Sequence, residues 1–115
     1  ILLIVDEAHG AHFLFGEKFP TSALNLGADI VIQSLHKTLP CPTQTAVLHI
    51  QGNIVNKKRL KQALSMVQTS SPSYIFLSAI DAPIGRTPAS KTALHPGIFA
   101  KSESSSSSVI IKSLI

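Results

Sequence analysis

The chain has 115 residues, enough for one small domain that buries about two-thirds of the surface its unfolded chain exposes. A large two-domain enzyme is excluded, and so is a disordered chain, because 44% of the residues are hydrophobic and only 14% are charged. The net charge of +4 lies largely in residues 57–61, where one basic helix face explains it without nucleic acid.

The low charge and the apolar opening at residues 1–5 indicate strands that are covered by other parts of a larger fold. We therefore expect the chain to be a fragment cut from within such a fold. The single cysteine, Cys41, cannot form an internal disulfide, which favours a reducing compartment, and we expect the cytoplasm. No apolar stretch approaches the roughly 20 residues that span a bilayer, so no membrane partner is expected.

The first third of the chain has the pattern of a strand, a loop, a short helix and a second strand. Residues 1–5 are apolar and typical of a strand buried on both faces of a parallel sheet. Glycine and proline indicate a loop over 9–21, and Thr21 or Ser22 is placed to cap a short helix that Gly27 ends. A second strand over 29–32 completes this βαβ pattern, which predicts an α/β sheet.

The middle of the chain predicts a third strand followed by a surface helix. Two prolines make 38–43 irregular, and the alternating residues 45–50 favour a strand. An amphipathic helix is predicted from Asn53 or Asn56 to Gln68, and the short apolar segment 74–79 fits either a strand or a helix.

The last part of the chain has a different composition. Residues 82–115 combine prolines and glycines with a serine-rich stretch, and such a segment buries too little apolar surface to offset its ordering entropy. The sequence therefore predicts two regions: an α/β part over 1–81 and a disordered, low-complexity tail over 82–115.

Two groups of polar residues follow predicted strands that neighbour each other in the sheet. The first runs from Asp6 to His12 and the second from Ser34 to Lys37. Ligand sites of open α/β sheets lie at such strand ends. Asp6 and Lys37 have two interpretations: a structural ion pair, or a pyridoxal-phosphate site with Lys37 as the Schiff-base amine and Asp6 opposite the ring nitrogen.

The neighbouring residues suit the second interpretation. Ala8 is small enough for a flat ring to lie against it, and His9 could bond the ring hydroxyl. Ser34 and His36 provide a hydroxyl and an imidazole suited to phosphate oxygens.

The runs LLIVDEAHGAHFLF, PTSALNLGADIVIQSLHKTLPCPTQTAVLHIQG and LKQALSMVQTSSPSYIFLSAID, within residues 1–81, closely resemble the major domain of the Orn/Lys/Arg decarboxylase class-I family. The resemblance stops at residue 81, and we expect the tail over 82–115 to be unrelated to the family. The resemblance implies the aspartate-aminotransferase-like (fold type I) fold, a three-layer α/β/α arrangement. It implies pyridoxal phosphate as cofactor and a homo-oligomeric parent enzyme. It also implies a role for each site residue: Lys37 and Asp6 as catalytic residues, Ala8 and His9 at the ring, and Ser34 and His36 at the phosphate.

The activity implied is decarboxylation of lysine, arginine or ornithine to CO2 and a polyamine-type amine. Because family members continue on both sides of this segment, we expect the isolated chain to be inactive, and an inert truncated product stays an alternative.

Two other kinds of site share some of these residues. Asp6 to His9 also matches the Walker B segment of DEAH-type helicases, although the next strand ends in Gln33-Ser34 rather than in the Ser-Ala-Thr of that class. A metal site from His9 and His12 with Asp6 or Glu7 lacks a supporting cysteine pair, so no metal is expected. His49, in a strand, is interpreted as a partly buried structural histidine, and Cys41 as inert.

Overall fold

The computed structural model describes residues 1–68, 71, 73–84, 99–101 and 108–113. These residues form a mixed α/β arrangement around a five-stranded sheet. The strands are β1 (Ile4–Asp6), β2 (Ile30–Ser34), β3 (Thr45–Ile50), β4 (Phe99–Lys101) and β5 (Ser108–Ser113). The helices are a 3₁₀ turn (Phe13–Phe15), α1 (Leu35–Thr38), α2 (Lys57–Val67) and α3 (Tyr74–Ile84).

The sheet is parallel at only one of its strand pairs. Its order is β1-β2-β3-β5-β4; β1 runs parallel to β2, with Asp6 opposite Ile32, and the other pairs are antiparallel. The parallel arrangement predicted by the βαβ pattern is therefore confirmed for β1 and β2, and β3 runs antiparallel to β2. Residues 35–44, which join β2 to β3, are fewer than the dozen or more that a parallel crossover needs.

Strand β1 lies at the edge of the sheet and is exposed. It begins at Ile4 rather than at residue 1, and the Ile4 side chain is 54% exposed. Within the described residues only Val5 of this strand is partly buried, and its burial by other parts of a larger fold stays a prediction. Burial is concentrated in β2 and β3, where Val31 and Val47 are almost completely covered.

The segment predicted as a short helix after Thr21 is instead a set of turns. Ser22 does act as the predicted cap, since its Oγ accepts a hydrogen bond from Leu24 N at 3.3 Å. Gly27 then adopts a φ of +90°, a left-handed conformation that ends the helical turn. The segment is therefore about one turn long, too short for a regular helix.

The two longer helices agree with the sequence. Helix α2 lies within the predicted span, and the side chain of Asn56 caps it by accepting from Arg59 N at 3.0 Å. Helix α3 resolves the ambiguity at residues 74–79 in favour of a helix. Within the described ranges, no helix has the length and apolar character to cross a membrane.

Two segments of the predicted disordered tail are strands of the sheet. β5 pairs with β3 along its whole length, and β4 pairs with β5. The prediction of disorder is therefore wrong for 99–101 and 108–113, and also for 82–84, which end α3. The rest of 85–115 lies outside the described residues. The physical reason is the second edge of β3, which offers backbone donors and acceptors to any apolar segment able to extend along it.

A small core joins α3 to the sheet. Ile80 has no exposed surface and packs in one cluster with Ala11, Leu35 and Val47. Since Leu35 begins α1, this cluster also supports the turn that carries Lys37. The core therefore lies directly beneath the segment that the sequence assigned to chemistry.

We predict that Ile80→Ala lowers the free energy of unfolding by about 2–5 kcal/mol, because it leaves a cavity in this cluster. Ile75→Ala is the matched control, since Ile75 lies on the same helix and is 74% exposed; its effect should stay within about 0.5 kcal/mol. Urea unfolding measures both, and equal losses would contradict the assigned core.

Candidate active site

The two polar segments that follow β1 and β2 meet at one edge of the sheet. β1 ends at Asp6 and β2 ends at Ser34, and Lys37 follows in the single turn of α1. Because the two strands are parallel neighbours, their carboxyl ends lie side by side. A backbone hydrogen bond from Ser34 N to the carbonyl of Ala8, at 3.2 Å, joins the two segments.

The side chains assigned to the amine and its partner acid are both exposed. Lys37 projects from α1, and Asp6 lies at the end of the edge strand. The Asp6 carboxylate accepts a hydrogen bond from Ala8 N at 3.1 Å, so the turn after β1 fixes one of its oxygens. Ala8 is half-buried and His9 is exposed.

Ser34 and His36 lie at the end of β2 and in α1, and each leaves one polar atom available. Ser34 is the N-cap of α1, but its hydroxyl makes no capping hydrogen bond. His36 lies 2.9 Å through Nδ1 from the carbonyl oxygen of Thr45. A carbonyl only accepts, so Nδ1 carries the proton, and Nε2 stays available to a ligand.

The neighbouring residue, Glu7, is directed to the interior instead. Side chains alternate along a strand, so Asp6 and Glu7 point to opposite faces. Asp6 lies opposite Ile32 in the parallel pair. One residue further along both strands, Glu7 therefore lies beside Gln33. Asp6 and Ser34 thus share one face of the sheet edge, and Glu7 and Gln33 share the other.

The Glu7 carboxylate accepts three hydrogen bonds. Oε1 accepts from Ala23 N at 2.8 Å, while Oε2 accepts from the Ser22 hydroxyl at 2.8 Å and from Gln33 Nε2 at 2.6 Å. Ser22 and Gln33 are both almost fully buried. Charge-assisted bonds of this kind are the stronger class, so Glu7 ties the turn after β1 to the loop before β2 and to β2 itself.

Gln33 passes the connection on to β3. Its Oε1 lies 3.0 Å from Nε2 of His49, which stands diagonally across the strand pair on the same face. Because Nε2 of Gln33 donates to a carboxylate, Oε1 is the atom that faces His49, and His49 must donate from Nε2. The three side chains form a hydrogen-bonded chain from Glu7 through Gln33 to His49, the Glu7–His49 chain below.

His49, at the end of the Glu7–His49 chain, is neutral. Burial lowers the pKa of His49 from 6.5 to about 4, and the negative charge of Glu7 opposes that shift. The prediction of a partly buried structural histidine is confirmed.

The sequence assigned no positioning role to Glu7 or Gln33. The signal for Gln33 in the sequence is its position directly after the apolar run Ile30-Val31-Ile32, because a buried side-chain amide requires a hydrogen-bond partner. Which residue supplies that partner depends on the register between strands, and the sequence pattern does not determine it.

The other candidate groups near the site have simpler environments. His12 packs edge-on against Phe13 and Phe19, with ring centroids 4.9 and 4.7 Å away. In the described part of the chain no three His, Cys, Asp or Glu side chains are grouped to hold a metal ion. Burial raises the pKa of the Cys41 thiol, against a hydrogen bond from Thr45, which agrees with its interpretation as inert.

We predict that Glu7→Gln reverses the polarity of the Glu7–His49 chain. An amide at position 7 presents a donor to Gln33, so the Gln33 amide flips and His49 must accept at Nε2, moving its proton to Nδ1. Nitrogen chemical shifts of the His49 ring report the tautomer. Glu17→Gln, at an exposed glutamate, is the control and should leave the Nε2 tautomer in place.

We also predict that His49 makes the folded chain less stable as the pH falls. The unfolded chain binds a proton near pH 6.5 and the folded chain only near pH 4. The free energy of unfolding therefore falls as the pH is lowered through this window, by about 3 kcal/mol in all. In His49→Gln this part of the pH dependence should disappear from urea unfolding curves, whereas His9→Gln, at an exposed histidine, should retain it.

Comparison with known proteins bears on the same segments. The family model for the Orn/Lys/Arg decarboxylase major domain matches residues 1–94. The prediction that the tail is unrelated to the family is therefore wrong for residues 82–94. The match is to decarboxylases and lends no support to the helicase interpretation.

Individual relatives agree with the family match. Over 82 residues the chain is 51% identical to Uncharacterized protein YaaO of Bacillus subtilis (strain 168), covering 70% of this chain and 17% of that protein. It is 39% identical over 94 residues to an arginine decarboxylase of Bacillus cereus, covering 82% and 20%. An arginine decarboxylase of Bacillus subtilis is 42% identical over 79 residues, covering 69% and 16%.

The chain thus spans about a fifth or less of the length of these relatives. Within that span lie both strand ends that carry Asp6 and Lys37. The match over most of the chain, together with this arrangement, shows that the chain belongs to the Orn/Lys/Arg decarboxylase family and corresponds to part of its major domain.

Proposed function

We propose that this chain forms part of the active site of a pyridoxal-phosphate-dependent decarboxylase that acts on a basic amino acid. The observation that carries the proposal is the position of Asp6 and Lys37 at the adjacent ends of two parallel strands. An acid and an amine at one sheet edge are the two groups that this cofactor requires from the protein. The family match supplies the reaction class.

The donor set at this edge fits pyridoxal phosphate. When bound, the cofactor supplies an electron sink for the carbanion left by loss of CO2. The exposed amine of Lys37 is the nucleophile that attaches it. The Asp6 carboxylate, oriented by Ala8 N, holds a proton on the ring nitrogen.

Ser34 and His36 bind the phosphate group in this proposal. The Ser34 hydroxyl is not used as a helix cap, and His36 is anchored through Nδ1 so that Nε2 points to a fixed place. A hydroxyl and an imidazole held in this way suit phosphate oxygens.

Ala8 and His9 complete the cradle for the ring. Ala8 offers a small, half-buried surface on which the flat ring can lie, and the exposed His9 imidazole reaches the ring hydroxyl. The chain then belongs to the aspartate-aminotransferase-like fold, with helices on both faces of the sheet.

Among lysine, arginine and ornithine, the names of the relatives favour arginine as the substrate. We propose the activity for the complete protein, which would be a homo-oligomer. The chain alone should release no CO2 from any of the three amino acids.

We predict that borohydride reduction of the chain with pyridoxal phosphate labels Lys37 selectively. Peptide mass spectrometry locates the adduct, and Lys37→Ala should lower labelling by more than about tenfold, because the strand ends position this amine alone. Lys58→Ala, at an exposed lysine of α2, is the matched control and should retain the label. Even labelling across the lysines would contradict the proposed site.

A further inference from the structure

We infer that Glu7 is a positioning residue for the cofactor site: its buried contacts hold the turn that directs the Asp6 carboxylate toward the ring nitrogen. The inference rests on the proposed function for the identity of the ligand. Its structural part, the coupling between Glu7 and the turn over 6–10, stands on the contacts of this chain alone.

Glu7 fixes the turn through both its side chain and its backbone. Its N–H donates to the carbonyl of Ile32 at 2.9 Å, and its carbonyl accepts from Gly10 N at 2.8 Å. Its carboxylate is held by Ser22, Ala23 and Gln33 as described above. Five hydrogen bonds therefore define where Glu7 lies, on the face of the sheet opposite to the ligand.

Asp6 has far fewer constraints of its own. It is exposed, and among the described residues Oδ1 accepts a hydrogen bond from Ala8 N alone, which lies on the other side of Glu7 in the same turn. A carboxylate on an edge strand samples several rotamers unless the local backbone restrains it. Glu7 lies between Asp6 and Ala8 in the chain, so the restraint on the Asp6 carboxylate depends on the hydrogen bonds that hold Glu7.

Gly10 closes the turn around the Glu7 side chain. A Cβ added to Gly10 would overlap Cγ of Glu7 and lie 2.7 Å from its Cδ. Gly10→Ala therefore displaces the Glu7 side chain without changing its charge. Gly16→Ala is its matched control, because a Cβ there meets only Phe19, at 3.4 Å.

The first experiment needs no cofactor. Hydrogen exchange of the Ala8 backbone amide reports its bond to Asp6. The Gln51 backbone amide, which donates to the carbonyl of Asp29 at the opposite end of the β2–β3 pair, is the internal reference. In Glu7→Gln weaker neutral hydrogen bonds replace the charge-assisted ones, and in Gly10→Ala the Glu7 side chain is displaced. In both variants the exchange rate at Ala8 should rise by about tenfold relative to Gln51. In Glu17→Gln and Gly16→Ala the ratio should not change.

The second experiment compares two aldehydes. One is pyridoxal phosphate, and the other is the same molecule with carbon in place of the ring nitrogen, which Asp6 cannot recognise. Glu7→Gln and Gly10→Ala should each weaken the binding of pyridoxal phosphate by about tenfold. The affinity for the carbon analogue should change by no more than about twofold. Asp6→Asn should show the same selectivity. Gly10→Ala excludes the loss of the Glu7 charge as the cause.

The outcomes separate the two proposals. Equal losses of affinity for both aldehydes would show that Glu7 only stabilises the fold. An unchanged exchange rate at Ala8 would overturn the coupling between Glu7 and the turn. Either result contradicts the positioning role. Failure of the unaltered chain to bind either aldehyde at Lys37 would contradict the proposed function instead. The Ala8 exchange then decides by itself whether Glu7 controls the turn.

Discussion

The carboxylate of Glu7 is the contact on which the arrangement of this sheet edge depends. It is a charged group placed on the covered side of the sheet, where it would be costly unless donors surrounded it. A hydroxyl, a backbone amide and a side-chain amide do so, and they come from the loop before β2 and from β2. One side chain thereby joins three segments that are far apart in the chain.

Strand geometry divides the site into a chemical face and a supporting face. Asp6 and Ser34 share one face of the parallel pair, and Glu7 and Gln33 share the other. The supporting face continues to β3 through His49, whose burial keeps it neutral and a donor. In the proposed site Asp6 can stay exposed at its strand end because its neighbour in sequence, Glu7, is anchored by buried donors.

Sequence reasoning located the elements better than their environment. The spans of β2, β3 and α2 follow from apolar periodicity and from the cap at Asn56, which are local signals. Disorder at 99–101 and 108–113 was wrong because strand formation there depends on which strand lies alongside. β1 is an edge strand, and β3 had an edge that β5 occupies.

The sequence by itself determined that Asp6 and Lys37 are present and that each follows a strand. Apolar runs and the points where they end are local features of the sequence, so they can be found without the tertiary structure. It also carried the family resemblance, which the match over residues 1–94 confirms. Only the tertiary structure decided that Glu7 meets Gln33 and that Gln33 meets His49. Those contacts depend on the register of three strands, and a shift of one residue would turn each side chain to the opposite face.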